Sequence, residues 1–253
     1  MNQFASEVAA KMIPCDKIGV FFLGQAGFLL KTPNSKLIAV DPYLSNCCER
    51  YFGFKRLMPR ILEPGELSIE TLLVSHAHYD HFDPDSVPAI LSDGKTALIG
   101  AKDVEAECER LGLSKNIAYL SCGESAVQGA LKVTGVPCDH GELAPDALGL
   151  LIEIGGKKIY YMGDTAYRPD YLENPALQGV DLLLLPINGK FGNLNEREAA
   201  QVIKALKPQL AVPCHYWNFA EHGGNPGAFQ EEMERIAPDC PYLLMRQGEG
   251  ILI

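Results

Sequence analysis

An apolar run that breaks into a histidine cluster constrains this chain more than any other feature. Leu72, Leu73 and Val74 read as a buried strand, and the residues that follow, Ser75-His76-Ala77-His78-Tyr79-Asp80-His81, carry four groups able to ligate a metal. Half of the chain's six histidines are gathered here beside an aspartate. Alternation along an extended segment puts His76 and His78 on one side, where both imidazoles reach one cation, while Asp80 and His81 fall in the following turn and reach a second. One loop cannot complete two coordination shells, so further ligands have to arrive from other strand ends.

Three segments offer them. His140 follows LKVTGVPCD, Asp164 follows KIYYMG and His215 follows LAVPC, each at the end of a predicted strand. Loops at the ends of a rigid sheet are where converging side chains are held in place yet stay accessible. Asp164 can bridge two cations with its two carboxylate oxygens. Plainer readings fit the same letters: Asp164 as a turn or N-cap residue, His215 as a satisfied core histidine, and His140 as part of a surface turn Asp139-His140-Gly141-Glu142.

The rest of the chain explains how such ends come together. Short β-branched and apolar runs predict strands at 18–23, 28–31, 37–40, 71–74, 97–100, 131–136, 150–154, 158–162, 181–187, 210–212 and 242–245. Helical spacing appears at 103–111, 195–206 and 226–236, the last opening on a proline in the first turn. This order is β-rich with late helices. Gly155-Gly156 marks a tight hairpin and Asn34-Ser35 a second one, so antiparallel pairs dominate the opening. No low-complexity tract, charge block or repeat divides the chain, and one domain over 1–253 is the expectation. Strands as continuously apolar as LLLLPI need cover on both faces. Two sheets face to face with helices outside, a four-layer αββα sandwich of the α+β class, provide it.

Charge and cysteine usage exclude several functions. With 22 basic and 32 acidic residues the formal charge is -10, which repels a polyanion, and no basic cluster offsets it, so no nucleic-acid partner is expected. No apolar run approaches the roughly 20 residues that span a bilayer. The opening MNQFASEVAAKMIPCDK lacks the basic and long apolar segments of a secretory leader, which predicts a cytoplasmic protein with reduced thiols. Its eight cysteines form no C-x-x-C pair, against a zinc ribbon, a redox motif or a disulfide framework. A small-molecule substrate is the expected partner, and self-association into a homo-oligomer stays open.

At the histidine cluster the sequence resembles the metallo-β-lactamase superfamily, whose H-x-H-x-D-H signature stands here as His76, His78, Asp80 and His81, with His140, Asp164 and His215 matching its later ligands. Within it, the chain is similar to the L-ascorbate-6-phosphate lactonase branch through Phe22-Leu23-Gly24-Gln25-Ala26-Gly27-Phe28, Val40-Asp41-Pro42, Gly163-Asp164-Thr165 and Pro213-Cys214-His215-Tyr216. The resemblance implies two divalent metal ions: one held by His76, His78 and His140, the other by Asp80, His81 and His215, with Asp164 touching both. Asp41 would then orient a ligating imidazole from behind, although a turn aspartate before Pro42 fits as well. Imidazole and carboxylate without thiolate suit Zn or Mn, with Fe or Ni as alternatives.

Such ions lower the pKa of a shared water from 15.7 towards roughly 7, giving a hydroxide nucleophile at neutral pH. Asp80 is counted among the catalytic groups as well as the ligands, and His222 is the candidate proton donor to a leaving group. Neither a G-x-S-x-G elbow nor a Walker loop is present. Asn188, Lys190 and Tyr216 are candidates to meet the substrate, with Tyr79 and Trp217 nearby. Lys190 would meet a phosphate, although a solvated loop lysine is the simpler explanation. The expected reaction is hydrolysis of a small anionic ester or lactone, a sugar-phosphate lactone among the candidates. A phosphodiesterase acting on phospholipid or nucleotide, and a non-catalytic metal-binding protein, are the competing readings.

Overall fold

The structure, a computed structural model, describes residues 2–253; Met1, where the expected 1–253 domain begins, lies outside the described residues. The chain starts with a helix, α1 (Gln3–Ala10), and three antiparallel strands, β1 (Gly19–Gly24), β2 (Gly27–Lys31) and β3 (Leu37–Val40). Helix α2 (Cys47–Phe52) and then β4 (Thr71–Val74), α3 (Val87–Ile90), β5 (Ala97–Ala101), α4 (Val104–Arg110) and β6 (Ile117–Leu120) follow, with the strands parallel from β3 to β6. A second group comprises β7 (Ser125–Gln128), β8 (Leu131–Val136), β9 (Gly149–Ile154) and β10 (Lys157–Tyr161), all antiparallel. After α5 (Pro169–Leu172) it continues through β11 (Leu182–Pro186), α6 (Glu196–Leu206) and β12 (Leu210–Cys214), now parallel. Helix α7 (Pro226–Ile236) and strand β13 (Gly250–Leu252) complete the chain.

Seven strands form one sheet in the order β13-β1-β2-β3-β4-β5-β6, and six form the other in the order β12-β11-β10-β9-β8-β7. Strand periodicity builds the layers. Phe22, Phe28, Leu30 and Leu73 point into the core shared with Leu150, Ile152 and Leu184, whereas Phe21, Leu23, Leu29 and Leu72 point the other way, against Val8 of α1, Val87 of α3 and Val104 of α4. On the far side of the second sheet, α6 and α7 bury Ala199, Val202, Ile203, Phe229 and Met233. This is the four-layer αββα sandwich expected from the strand pattern. No described helix is long and apolar enough to cross a membrane.

Both hairpin signals are realised. Gly155 and Gly156 carry φ of 57° and 75° between β9 and β10, the left-handed pair that a two-residue hairpin turn demands. Other expectations need correction. Residues 242–245 are not a strand: Tyr242 makes one bridge to Ala211, and pairing goes no further. Helices are not confined to the late chain, since α1 and α2 come early. Lys31, a buried lysine in an apolar strand, is explained by α1, because its Nζ donates to the carbonyls of Val8, Ala9 and Lys11 at the helix end. Strands β6, β7 and β13 also went unread; all three are edge strands, the first half-buried and the other two mostly exposed and without a continuous apolar face.

The register places the chemistry. Strands β1, β3 and β4 run in one direction in the first sheet, and β8, β10, β11 and β12 run in one direction in the second. Gln25, Asp41, the His76–His81 loop, His140, Asp164, Asn188 and His215 each lie just beyond the C-terminal end of one of these strands.

Candidate metal centre

Two groups of donor atoms converge where the strand ends meet. In the first, His76 Nε2 and His140 Nε2 lie 3.1 Å and 3.2 Å from His78 Nδ1. In the second, His81 Nε2 lies 3.3 Å from His215 Nε2, and both lie 3.2 Å from Asp164 Oδ1. Asp80 Oδ2 is 3.3 Å from His215 Nε2 and 3.7 Å from His81 Nε2. The other oxygen of Asp164 is 3.9 Å from His140 Nε2, so this carboxylate stands between the groups.

A ring in each group is aimed by a contact on its far side. His78 Nε2 lies 3.1 Å from the Leu143 carbonyl, which fixes the proton there and leaves Nδ1 a lone pair. His81 Nδ1 lies 2.6 Å from Asp41 Oδ2, leaving Nε2 to face the cluster. Asp41 is fully buried; it also accepts from the Ser75 amide at 2.8 Å, from the Ser75 hydroxyl and from the Tyr161 hydroxyl at 2.7 Å. Asn193 Nδ2 donates to Asp164 Oδ2 at 2.7 Å, and Gln25 Nε2 donates to Asp80 Oδ2 at 2.8 Å. Gln25, Asp41 and His215 adopt left-handed backbone, with φ of 54°, 42° and 64°. Non-glycine residues held there cost on the order of 1–3 kcal/mol each, and such strain gathers where placement matters for function.

The donor set fits divalent metal. Two ligands at roughly 2.0–2.1 Å from a tetrahedral ion lie about 3.3 Å apart, close to the spacings seen here. Asp164 Oδ1, which faces the second group, is buried and takes part in no hydrogen bond. Charge makes the same point. Burial pushes the Asp80 and Asp164 carboxyls up, but the facing His81 and His215 outweigh it and hold both well below the usual carboxylate range. Burial likewise opposes charge on His81 and His215, and the carboxylates, Asp164 foremost, override it, raising His81 well above its ordinary value and His215 to about 9. The second group thus calls for positive charge at its centre, which a cation supplies without protonating the imidazoles. In the first group burial dominates, pushing His76 well below its ordinary value and His140 to about 4, so those rings are neutral lone-pair donors.

Residues 19–215 match the family described as the beta-lactamase superfamily domain. A UPF0173 protein of Pyrococcus furiosus is 31% identical over 217 residues, covering 85% of this chain and 90% of that protein. A UPF0173 metal-dependent hydrolase of Pelotomaculum thermopropionicum is 31% identical over 244 residues, covering 92% and 98%. The chain belongs to the metallo-β-lactamase superfamily. Within that superfamily it is one of the UPF0173 metal-dependent hydrolases. Among solved structures, the metallo hydrolase Igni18 of Ignicoccus hospitalis superposes with a TM-score of 0.74 at 21% identity, covering 94% of this chain and 98% of that one, and shares the fold.

Around this hydrolase centre the expected neighbours divide. His222 and Tyr79 line the cavity above it. His222 stacks on His215 with ring centroids 4.8 Å apart, and it forms with Asp80 and His215 a third group of donors within reach of one ion. Burial, aided by His215, lowers His222 to about 4. A group with that pKa carries no extra proton to give at neutral pH, so a lone-pair role suits it better than the expected proton donation. Tyr216 does not reach the cavity: it is buried, and its hydroxyl donates to the Met245 carbonyl at 2.8 Å. Asn188 is also buried, with its amide on the Lys190 carbonyl, and Lys190 is exposed; neither lines the cavity. Trp217, expected nearby, is 59% exposed and does not line the cavity.

Gln25, Ser75, Tyr161 and Asn193 were not singled out by sequence reasoning. Gln25 had a usable signal, because it follows β1 as the ligands follow their strands. Tyr161 had none: strand alternation alone does not tell a core tyrosine from one that touches Asp41.

Proposed function

We propose that this metal-dependent hydrolase carries a two-metal centre and cleaves an ester or lactone carbonyl of a small molecule. The observation that supports it is the pair of donor groups meeting at Asp164 on the floor of an open cavity. His76, His78 and His140 would hold one ion, Asp80, His81 and His215 the other, and Asp164 would touch both; Zn or Mn suits these donors, with Fe or Ni as alternatives. When bound, such ions supply Lewis acidity and an acidified water, its pKa lowered towards roughly 7.

The chain's own residues do the rest. Asp80, ionised and lining the cavity, is placed to accept a hydrogen bond from the attacking water and so orient it. Asp41 keeps the His81 ring from turning, the Leu143 carbonyl does the same for His78, and Asn193 steadies Asp164. The lactone part of the reading draws on the likeness to the ascorbate-6-phosphate lactonase branch. Negative charge on the substrate would have to sit at the rim near Lys190, since no lysine or arginine lines the cavity among the described residues.

The test is turnover by metal-loaded protein on a lactone panel and on a p-nitrophenyl phosphodiester panel. Lactone hydrolysis is the expected result. Phosphodiester turnover alone would shift the assignment to a phosphodiesterase, and silence on both would leave a non-catalytic metal-binding protein.

A further inference from the structure

The cavity above the metal centre has about 380 Å³ of space, within the range of small-molecule sites. Its floor is polar, with His78, Asp80, His140 and Asp164, but its wall is not. Tyr79, Phe52, Phe54 and Phe191 form a continuous run of rings ending on His222, with successive centroids 5.7, 6.2, 5.9 and 5.2 Å apart. Leu143 adds to the apolar lining. Three of these side chains are strongly solvent-exposed: Phe52 at 56%, Phe191 at 45% and Leu143 at 60%. Large apolar side chains clustered at a cavity mouth mark a binding surface rather than a core.

The backbone is arranged to put the rings there. Gly53, at φ 77°, ends α2 in a left-handed cap, and its turn sends Phe52 and Phe54 to the same cavity. Phe191 holds a left-handed φ of 54°, a conformation a bulky residue adopts at a cost. The wall itself carries no positive charge: no lysine or arginine lines the cavity among the described residues, and Arg50 and Arg110, which pack on the Tyr51 and Tyr79 rings, are paired with Asp85 at 2.7 Å and Glu107 at 2.6 Å.

The geometry points to a substrate whose scissile carbonyl carries an apolar group of about phenyl to hexyl size, seated on the Phe52–Phe54–Phe191 wall. This rests on the ester or lactone reading and names the part of the molecule that it leaves open. An apolar cavity of about 150 Å³ accepts benzene, so this one has room for an aryl ring together with the group being cleaved.

Two measurements on the metal-loaded protein test it separately from that reading. Calorimetric binding of neutral amides, from acetamide through butanamide and hexanamide to 3-phenylpropanamide, reads the wall without turnover. Affinity should rise about fourfold per methylene buried. Phe191→Ala should cost about tenfold or more on 3-phenylpropanamide, Phe191→Leu should keep most of the affinity, and metal content should stay at the wild-type level in both. The second arm compares kcat/KM on γ-lactones bearing hydrogen, propyl, hexyl or phenyl. A rise along both series supports the proposal. Graded amide binding with no lactone turnover would overturn the ester or lactone reading and keep the apolar subsite. Lactone turnover with flat responses in both series, or tighter binding of succinamate than of hexanamide, would overturn the subsite and keep the reaction.

Discussion

The floor and the mouth of this site are built on opposite principles. On the floor, Asp41, His76 and His81 are fully buried, and their rings and carboxylates are tied into one hydrogen-bonded set at the ends of parallel strands. At the mouth, Phe52, Leu143 and Phe191 come from a helix end and two loops and face solvent. Placing a cation requires ligand positions held to fractions of an ångström, which packed strands supply. Choosing a substrate requires shape and apolar area, which loops alter without disturbing the sheets. Changes to the floor should therefore abolish function, and changes to the mouth should redirect it.

The sharpest way to break that division is Asp164→Ala. Its carboxylate stands between the two donor groups, facing His81 and His215 with one oxygen and His140 with the other. Elemental analysis should find close to one metal equivalent lost per chain. Turnover should fall by at least about a hundredfold, the top of the range for losing a mere supporting partner. Two equivalents and full turnover would show that Asp164 serves only its turn.

Asp41→Asn probes the layer behind the ligands. It keeps the side chain's size but removes the negative charge facing His81 Nδ1; an amide oxygen in the Oδ2 position still accepts from Tyr161, and the Ser75 amide, which donates to Oδ1, loses its acceptor. Metal affinity measured by chelator competition should drop about 10- to 100-fold. Unchanged affinity would reduce Asp41 to a turn residue before Pro42.

Much of the floor was legible because its chemistry is written locally. Four residues able to ligate follow one apolar strand, and His140, Asp164 and His215 each follow another, so reading strand ends brought out seven of the nine described residues that the structure gathers into groups able to hold an ion, Asp41 and His222 being the other two. What sequence could not show was contact between distant segments: Tyr161 from β10 meets Asp41 from beyond β3 across the sandwich, and Asn193 meets Asp164 within one sheet's loops, pairs separated by 120 and 29 positions. The mouth was legible only in part. The loop around Asn188–Asn193 does border the site, but the residue facing the cavity is Phe191, whereas Asn188 turns inward to the backbone. Tyr216 was misplaced for a related reason: a tyrosine beside a ligand can turn into the core, and Met245, which receives its hydroxyl, lies 29 residues away. Helix α2 carried no apolar periodicity that would announce it, because two of its aromatic residues, Tyr51 and Phe52, face solvent.

The smallest expected effect belongs to Lys190, one residue from Phe191 and outside the cavity lining. Its charge stands in solvent, where an ion pair is worth about 0.2–1 kcal/mol and is screened by salt. If the substrate carries an anionic group beyond its apolar one, Lys190→Ala should raise KM for that substrate by less than about fivefold. It should leave kcat, metal content and the KM of the uncharged analogue unchanged, because the interaction is remote from the reacting carbonyl. Raising the salt concentration should erase the difference between variant and wild type. An equal loss on charged and uncharged substrates would mean instead that the lysine positions its loop, whose turn is closed by the Asn193 amide on the Lys190 carbonyl at 3.0 Å. In that case Phe191 would be displaced with it, and the mouth would prove less independent of its backbone than the floor's rigidity suggests.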